Sequence, residues 1–598
     1  MSPGASPSSE RTGSRAARHF HYRRRPNVRP LSAHCALAHI TCTSSKRGPL
    51  FLSDNRSMQP AVRESAEASI EPLDREFPRQ AAVVLAVLGV SVRLFFWFYT
   101  GRTWEDALIT LQHAENAARG LGLTHTPQAG PPLHGFTSPL SVLIPLVGEL
   151  IHRGFGLTLL RLLSAFLGGV SVWLGMRIAH AMGLAYGFVL LVGGYIALEH
   201  QQILYGMAGM ETQVVLTILL FSFHTLLEFN PNRVGIGLGL AMLGRPDMAF
   251  WVGIVFVLIA WRCRREKDYR PAWIALAWLA VLYGPWLAFT TWYYGSPVPN
   301  TIVAKALGYD NLWYLGHGKR QLPAMIWSRI RYYVFGGLGP AYGGNGTGFQ
   351  LFADGGAIAC GILLLMIPGC LRAWRRKDTV SLGVCAFALT YSLYYLFAMN
   401  FSFGWYVVPL SAAIVLVSAS GADLLLRSTV RHSLRRPVSL GFATAYLFSL
   451  VLVLPMCIAG DRHVQQFVED GSRRRIGEYL ASVAAPDQTV GCEPLGYVGY
   501  YSRLIVYDFP GLCSRKVTEF MRTHRGNHGP QVMWEALEPD YLVLRPHEIP
   551  KDSQWEAWVR SKYELVREFR VPEARAKQML YPELNIDRVF SVFKHKAT

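Results

Sequence analysis

Long apolar runs separated by short polar segments dominate the pattern from residue 80 to residue 459. A run of about 20 apolar residues is long enough to cross the roughly 30 Å hydrocarbon core of a bilayer as a helix. Runs read as single crossings are 80–100, 157–179, 184–198, 211–228, 272–293, 356–371, 380–398, 405–426 and 438–459. The pattern therefore predicts a polytopic α-helical membrane protein.

Two other apolar stretches are less regular. Residues 234–261 are interrupted by Gly244-Arg245-Pro246-Asp247, and a proline with two charges in mid-run predicts two short helices that meet at the membrane face. This brings the total to about eleven crossings. Residues 138–152 are short and contain two prolines, which indicates a surface or re-entrant helix. In the alternative reading, 138–152 crosses and 234–261 is one span, which places Glu211 on the inner side.

The basic residues of the loops predict the orientation. With the N-terminus in the cytoplasm, three arginine-rich loops fall on the same side: 262–270, 372–377 and 427–436. Cytoplasmic loops of membrane proteins carry an excess of Lys and Arg. The loop 102–136, the loop 294–355 and the C-terminal region are therefore expected to face outward.

Residues 460–598 have a different character, because hydrophobicity drops and charge rises. Short β-type runs at 489–491, 504–507, 541–544 and 589–593 alternate with helical stretches at 474–483 and 554–568. This pattern predicts an extramembrane α/β domain on the outer face. The domain contains Cys492 and Cys513, which in an outward compartment are expected either to form a disulfide or to be unpaired buried thiols.

The first 79 residues are rich in Arg, Ser, Pro and His and have no sustained hydrophobic period, which predicts a disordered cytoplasmic tail. Residues 1–57 carry ten Lys and Arg side chains against only Glu10 and Asp54, so much of the net charge of +19 lies here and in the cytoplasmic loops. This placement argues against nucleic acid as a partner. The sequence leaves open whether Met1 or Met58 is the true start.

An acidic helix follows the first crossing, in the polar loop 102–136. Asp106, Thr110 and His113 recur at helical spacing and form one polar face, while small apolar residues form another. The pattern predicts a short amphipathic helix on the bilayer surface. Glu105 and Asp106 suit the positive end of its dipole, so the pair is either a solvated helix start or part of a site.

Several stretches, in this order, resemble the GT-C superfamily of integral-membrane glycosyltransferases, and are similar to bacterial members of the mycobacterial terminal arabinofuranosyltransferase type. They are Glu105–Thr110 with Asn116 and Gly120, Gly135–Leu140, Gly209–Thr212, Arg245–Asp247, Tyr294–Lys305, Trp405–Pro409 and Gly496–Gly511. The resemblance covers roughly residues 80–598. Each motif is weak alone, and their shared order is what makes the likeness specific.

The resemblance implies a transfer reaction at the outer face of a bacterial inner membrane. The donor is expected to be a sugar linked to a polyprenyl phosphate, and the acceptor a glycan, a lipid or a protein. An acidic residue of the first outer loop is expected to act as general base, with inversion at the anomeric carbon. Which sugar is moved, arabinofuranosyl or a hexosyl such as mannosyl, stays open.

Candidate roles follow from this chemistry. Asp106 is the expected base, and Glu105 is expected to orient it or to help bind a cation. Arg245 is the first candidate for the donor phosphate, because guanidinium binds phosphate oxygens bidentately; the alternative is a structural pair with Asp247. Lys305 is either a second phosphate ligand or a snorkelling lysine.

Two more residues, Asn300 and His134, complete the expected donor site. No cofactor is certain, although Glu105, Asp106 and His113 could together hold a divalent metal ion. Where the family often has Asp-Asp, Leu-Arg-Tyr and Glu-Gly-Tyr-Thr, this chain has Glu105-Asp106, Leu111-Gln112-His113 and His134-Gly135-Phe136-Thr137. These departures affect the expected sugar and acceptor more than the reaction class.

Two other classes of protein compete with an enzyme. A transporter or lipid-carrier flippase is the main alternative, but such proteins place ionisable groups near the bilayer midplane and often contain internal repeats. Here the acids lie at the predicted outer face and the chain shows no repeat. A non-catalytic scaffold of the cell envelope is the third reading.

Overall fold

The computed structural model describes residues 76–308, 356–398, 403–525, 529–579 and 587–596. The predicted tail 1–79 lies almost entirely outside these residues, as does most of the loop 294–355. The described helices of the first part are α1 (Arg79–Thr100), α2 (Glu105–Ala118), α3 (Pro139–Ile151), α4 (Gly156–Ala181), α5 (Tyr186–Leu198), α6 (His200–Met207), α7 (Thr212–Glu228), α8 (Pro231–Gly244), α9 (Ala249–Glu266), α10 (Arg270–Tyr294), α11 (Asn300–Gly308), α12 (Gly356–Arg376), α13 (Thr379–Leu393), α14 (Gly404–Thr429) and α15 (His432–His463).

Seven segments of the described chain are long and apolar enough to cross a membrane, and the pair α6–α7, bent by 116°, makes an eighth if it is one broken span. The polytopic helical fold is thus confirmed. The predicted total of about eleven also counted α5, α8 and α12, which are not among these segments. α5 and α8 have only 13 and 14 residues, so neither reaches the usual length of a crossing.

The interruption within 234–261 is where the sequence predicts it. α8 ends at Gly244, and a single 3₁₀ turn over Pro246–Met248 leads into α9. Proline cannot donate a backbone hydrogen bond to the preceding turn, which explains why the helix stops here. Arg245 therefore lies in the break between the two helices and not on the side of a continuous helix.

Contacts between turns show which loops share an end of the bundle. The carbonyl of Gly183, between α4 and α5, accepts hydrogen bonds from Arg372 (3.0 Å) and Arg427 (2.8 Å). Both arginines also pair with Asp423, which is fully buried. The basic loops 372–377 and 427–436 therefore begin at one end of the bundle, as the positive-inside pattern requires; their compartment stays a prediction.

The C-terminal part forms a five-stranded sheet, which confirms its predicted α/β character. The strands are β1 (Thr489–Cys492), β2 (Ile505–Asp508), β3 (Tyr541–Leu544), β4 (Tyr563–Arg570) and β5 (Val589–His595), in the order β2-β1-β3-β5-β4. β1 pairs with β2 and β3 in parallel, and β5 pairs with β3 and β4 antiparallel. The helices are α16 (Arg474–Val483), α17 (Leu495–Ser502), α18 (Arg515–Thr523), α19 (Pro530–Leu537), α20 (Gln554–Lys562) and α21 (Glu573–Ala576).

One element of this domain differs from the prediction. The helix expected at 554–568 ends at Lys562, and the chain continues as β4. Only Tyr563 and Phe569 of this edge strand are buried, so its apolar spacing does not alternate as a half-buried strand should. Pairing with β5, interrupted by a bulge between Leu565 and Arg567, decides its conformation instead.

α2 does not lie on the bilayer surface as expected, because it is enclosed between the membrane helices and the sheet domain. Ile109 belongs to the apolar core of the domain, and Leu108 and Leu111 pack on Tyr497. Ala107 packs on the opposite side against Trp405 of α14. The apolar faces of this helix therefore bury themselves in protein rather than in lipid.

Cys492 and Cys513 are both buried and not joined by a disulfide. Of the two arrangements left open by the sequence, the structure has unpaired thiols.

Candidate functional site

α2 begins beside the membrane bundle, where the backbone N–H of Trp104 donates to the carbonyl of Ala208 (2.8 Å). Glu105 and Asp106 form its first turn, where the partial positive charge of a helix favours carboxylates. Successive residues of a helix point about 100° apart. The two acids therefore face different surroundings although they are neighbours in sequence.

Asp106 lines a cavity at this end of the bundle. Its charged lining residues are Asp106, Glu211, Arg245 and Lys305. The other lining residues are Ala107, Ile109, Thr110, Gly135, Phe136, Thr137, Ser138, Ser141, Met210, Thr301, Trp405, Tyr406 and Leu512. The cavity is thus lined by two carboxylates, two cationic side chains, several hydroxyls and aromatic rings.

The Asp106 carboxylate is half-buried and makes no hydrogen bond or ion pair with another described residue. Burial raises the pKa of Asp106 above the usual aspartate value, while the nearby positive charge of Lys305 lowers it. A carboxylate with a raised pKa and open oxygens is a better proton acceptor than an exposed aspartate.

Lys305 belongs to α11, the short helix after the turn that contains Pro299. Its ammonium lies 5.0 Å from the ring centroid of Phe403 and interacts with the Tyr406 hydroxyl. The pKa of Lys305 is raised: burial lowers it, but Tyr406 and Asp106 favour the charged form more strongly. Lys305 is thus held as a cation inside the cavity rather than extended toward lipid headgroups.

Arg245 is 2% exposed and does two things at once. Its guanidinium pairs with Asp247 through two nitrogens, and it donates to the Tyr391 hydroxyl (2.9 Å) and the Trp405 carbonyl (3.4 Å). It also lies 4.4 Å from the ring centroid of Tyr406, at the cavity wall. The structural pair with Asp247 exists, and it holds the cation in place where a ligand can reach it.

Glu105 faces away from this cavity. Its carboxylate accepts hydrogen bonds from Arg473 (3.1 Å) and from the backbone N–H of Gly496 (3.0 Å), both in the C-terminal part of the chain. Burial raises the pKa of Glu105, and Arg473 opposes that shift. Asp106 and Glu105 therefore do not act on one ligand in this arrangement.

The amide side chain of Asn300 also binds the C-terminal domain, donating to the carbonyls of Gly511 (2.8 Å) and Leu512 (3.0 Å). It is thus not directed at the cavity. Instead it links the start of α11 to the segment that contributes Leu512 to the cavity wall.

His134 and His113 lie behind the cavity, packed with Phe136. The ring of His134 stacks on Tyr294 with a centroid distance of 4.7 Å. Burial lowers the pKa of His134 to about 3 and that of His113 to about 4, so both are neutral at pH 7. His134 therefore has no charge with which to bind a phosphate.

The three residues considered for a metal ion do not converge, since Glu105 faces Arg473 and His113 lies behind Phe136. Within the described ranges, no group of three His, Cys, Asp or Glu side chains is placed to hold a metal ion.

Sequence reasoning assigned no role to Glu211, which lines the cavity at the bend between α6 and α7. The Gly209–Thr212 motif pointed to this bend, but a motif alone does not show which of its side chains faces a ligand. Tyr406 and the hydroxyl side chains were also missed, because their positions become adjacent only when segments distant in sequence meet.

One protein family and several solved structures match this chain in part. Residues 460–587 match a family described as "Domain of unknown function (DUF8728)". No curated protein matches the sequence. Among solved structures, the apo form of ArnT from Cupriavidus metallidurans is 13% identical, with a TM-score of 0.50 over 85% of this chain and 97% of that one.

Two other solved structures are similar at lower scores. The oligosaccharyltransferase AglB from Archaeoglobus fulgidus, in complex with an inhibitory peptide and a dolichol-phosphate, is 12% identical with a TM-score of 0.48 over 78% of this chain and 69% of that one. The arabinofuranosyltransferase AftD from Mycobacteria is 15% identical with a TM-score of 0.37 over 85% of this chain and 39% of that one. The likeness to ArnT confirms that this chain has a GT-C-like fold.

Proposed function

We propose that this protein is a membrane glycosyltransferase that moves a sugar from a polyprenyl-phosphate donor to a hydroxyl group of a cell-envelope glycan, lipid or protein. The observation that carries the proposal is the cavity in which a free carboxylate, Asp106, lies with two cations, Arg245 and Lys305. The GT-C-like fold supports the reaction class. The sugar is arabinofuranosyl or a hexosyl such as mannosyl.

In the proposed reaction, the acceptor hydroxyl attacks the anomeric carbon from the face opposite the phosphate. The new carbon–oxygen bond forms as the bond to the phosphate breaks, and the electron pair leaves with the polyprenyl phosphate. Asp106 takes the hydroxyl proton. Lys305 and Arg245 stabilise the negative charge of the departing phosphate, because such contacts strengthen as charge develops.

The remaining sequence candidates take supporting roles in this proposal. Glu105 and Asn300 attach the cavity walls to the C-terminal domain, and His134 packs the loop behind Phe136. The reaction as proposed uses no metal ion, since phosphate is already a good leaving group. In this proposal the cavity faces the periplasm at a bacterial inner membrane, so that the lipid chain of the donor remains in the bilayer.

The test is transfer by purified protein in detergent, where no membrane separates two compartments. Polyprenyl-phosphate arabinofuranose and polyprenyl-phosphate mannose serve as donors, and envelope oligosaccharides as acceptors. Asp106→Asn should lower kcat by on the order of 10²–10⁴-fold with donor binding nearly unchanged, because the amide keeps size and polarity but cannot take the proton. Asp268→Asn, an exposed position in the 262–270 loop, is the matched control and should retain wild-type turnover.

The flippase alternative predicts something else. A flippase moves intact lipid-linked sugar across proteoliposomes and forms no glycosidic bond in detergent. Transport without transfer, or wild-type turnover in Asp106→Asn, contradicts the proposed reaction.

A further inference from the structure

Glu211 stands out among the polar groups of the cavity because it is 8% exposed and yet its carboxylate bonds to no other described residue, only to the backbone N–H of Glu211 itself. It is the residue before α7, and its side chain makes no capping hydrogen bond with that helix. No described Lys, Arg or His lies within 4.0 Å of its carboxylate. A buried carboxylate is costly to leave short of hydrogen bonds, so one that lines a cavity and bonds only to its own backbone N–H points to a ligand.

The other polar side chains of the cavity are already engaged. Arg245 is paired with Asp247. The hydroxyls of Thr137 and Thr301 bond to each other (2.8 Å), Ser141 donates to the Ser138 carbonyl (2.7 Å), and Thr110 donates to the Ala107 carbonyl (3.1 Å). Glu211 and Asp106 are thus the charged acceptors that line the cavity without a bond to another described residue.

The backbone holds Glu211 at a defined place relative to Asp106. Gly209 has a φ of +89°, which favours glycine, and a Cβ atom there would lie 2.6 Å from Leu157 Cδ1 and 3.0 Å from the Ala107 Cβ. The bend before α7 is therefore packed directly on the first turn of α2. Glu211 interacts electrostatically with both Arg245 and Asp106.

We infer that Glu211 binds hydroxyl groups of the transferred sugar and so selects a neutral donor sugar with adjacent hydroxyls. This inference rests on the proposed function. A carboxylate accepts two hydrogen bonds side by side, which suits two neighbouring hydroxyls of a sugar ring. With the phosphate at Arg245 and Lys305 and the attacking hydroxyl at Asp106, Glu211 holds the ring so that the anomeric carbon lies between them.

The test measures equilibrium binding of three radiolabelled probes to the detergent-purified full chain: polyprenyl phosphate without sugar, polyprenyl-phosphate arabinofuranose or mannose, and monodeoxy analogues of each. Glu211→Ala should weaken binding of the sugar-carrying donors by about 10- to 100-fold, the usual size of a hydrogen bond to a charged group. Binding of polyprenyl phosphate alone should not change. Glu228→Gln, at the exposed far end of α7, is the matched control and should bind all probes as wild type does.

The deoxy analogues identify the contact. Removing the hydroxyl that Glu211 holds should weaken binding to wild type by a similar factor, with little further loss in Glu211→Ala. Glu211→Gln, which keeps the size and one acceptor, should lie between wild type and Glu211→Ala. Thermal stability without donor should be unchanged or higher in both variants, because an unpaired buried charge is removed, whereas a purely structural acid would lose stability.

Different failures separate the two claims. If wild type binds neither polyprenyl phosphate nor any sugar-carrying donor, the proposed function is wrong and the inference falls with it. If wild type binds the donors but Glu211→Ala binds them equally well, the inference alone is overturned. The same holds if the losses of binding free energy caused by Glu211→Ala and by each deoxy analogue are additive, because Glu211 then does not contact the hydroxyl that was removed. Loss of wild-type donor binding in EDTA, restored by Mg²⁺ or Mn²⁺, would assign Glu211 to a cation instead and also overturn it.

Discussion

Asp106 and Arg245 differ in how much protein already surrounds them. The carboxylate of Asp106 is half-buried and open to the cavity, whereas Arg245 is almost fully buried and held by Asp247, Tyr391 and the Trp405 carbonyl. An open carboxylate is suited to exchange a proton, and a fixed cation is suited to bind charge without reorganising. This difference leads to a prediction for each residue.

The pH dependence of transfer should report on Asp106. A general base works only when deprotonated, so kcat/KM falls as pH drops through the pKa of Asp106; this fall is the acid limb of the pH profile. Because burial raises the pKa of Asp106, the acid limb should lie at a higher pH than an exposed aspartate would give. Lys305 lowers the pKa of Asp106, so Lys305→Met should move the acid limb to higher pH as well as weaken donor binding. Lys551→Met, at an exposed position of the C-terminal domain, should leave the limb in place. An unmoved limb in Lys305→Met contradicts Asp106 as the titrating base.

Stability and donor binding can be separated at Arg245. Arg245→Ala leaves Asp247 as an unpaired charge in a buried site, and breaking such a pair costs about 3–5 kcal/mol of stability. Arg245→Ala with Asp247→Ala removes the orphaned charge, so thermal stability should recover toward wild type. Binding of polyprenyl phosphate should still be weaker by about 1.5–3 kcal/mol in the double variant, because the phosphate contact is gone. Recovery of both properties together would make Arg245 a structural residue only.

At the scale of elements, α2 is the piece that joins the membrane helices to the sheet domain. Its Glu105 accepts hydrogen bonds from Arg473 and Gly496, and Arg473 in turn pairs with Glu469 and Asp587. The helix that carries Asp106 is therefore positioned by contacts from two parts of the chain. In the reaction we propose, the sheet domain acts on catalysis through the position of α2.

Gly496→Ala tests this coupling. A methyl group at Gly496 would overlap the backbone carbonyl and Cγ of Glu105, so α2 must shift away from the domain. We expect kcat to fall at least about tenfold with binding of polyprenyl phosphate unchanged, since Arg245 lies on other helices and small misplacements of a catalytic group reduce the chemical step. Gly529→Ala, where an added Cβ meets no atom within 4 Å, should have wild-type kcat. Equal kcat values for the two variants would contradict a positioning role of the domain.

At the scale of the whole molecule, the basic loops and the candidate cavity lie at opposite ends of the helix bundle. Arg372 and Arg427 meet at Gly183 at one end, and Arg245 reaches Trp405 at the other, next to the sheet domain. Positively charged loops stay in the cytoplasm. The cavity and the sheet domain are therefore expected on the outer side of the membrane.

Single cysteines at Glu266→Cys and Arg560→Cys test this orientation with an impermeant thiol reagent on intact cells. Both positions are exposed, one at the end of α9 and the other on α20. The cysteine at 560 should react from outside and the one at 266 only after the membrane is opened, with the unsubstituted chain as the labelling background. The reverse pattern means that the protein is inserted the other way round.

Much of the fold was determined by local sequence. Apolar runs of sufficient length must be helices in a bilayer, because unpaired backbone groups are not tolerated there. Pro246 ends α8 through its own backbone chemistry, which does not depend on the packing of the bundle. Strands β1, β2, β3 and β5 begin and end within a residue or two of their predicted bounds, since β-branched and aromatic runs between turns have few alternatives. Asp106, Arg245 and Lys305 were identified as candidate site residues from their chemistry and from the family resemblance.

The tertiary structure decided what neighbours each side chain has. Glu105 and Asp106 are both carboxylic acids, so their chemistry does not distinguish them. Only the packing of α2 between two parts of the chain turns Glu105 toward Arg473 and Asp106 toward the cavity. The same holds for Asn300, which binds the sheet domain, and for residues 563–568, which pair with β5 instead of continuing α20. Glu211 became a candidate only when the structure showed that it lines the cavity without bonding to another described residue. Helices and breaks depend on contacts within a few residues, whereas a site is formed by residues from distant segments, and their meeting depends on how the whole chain packs.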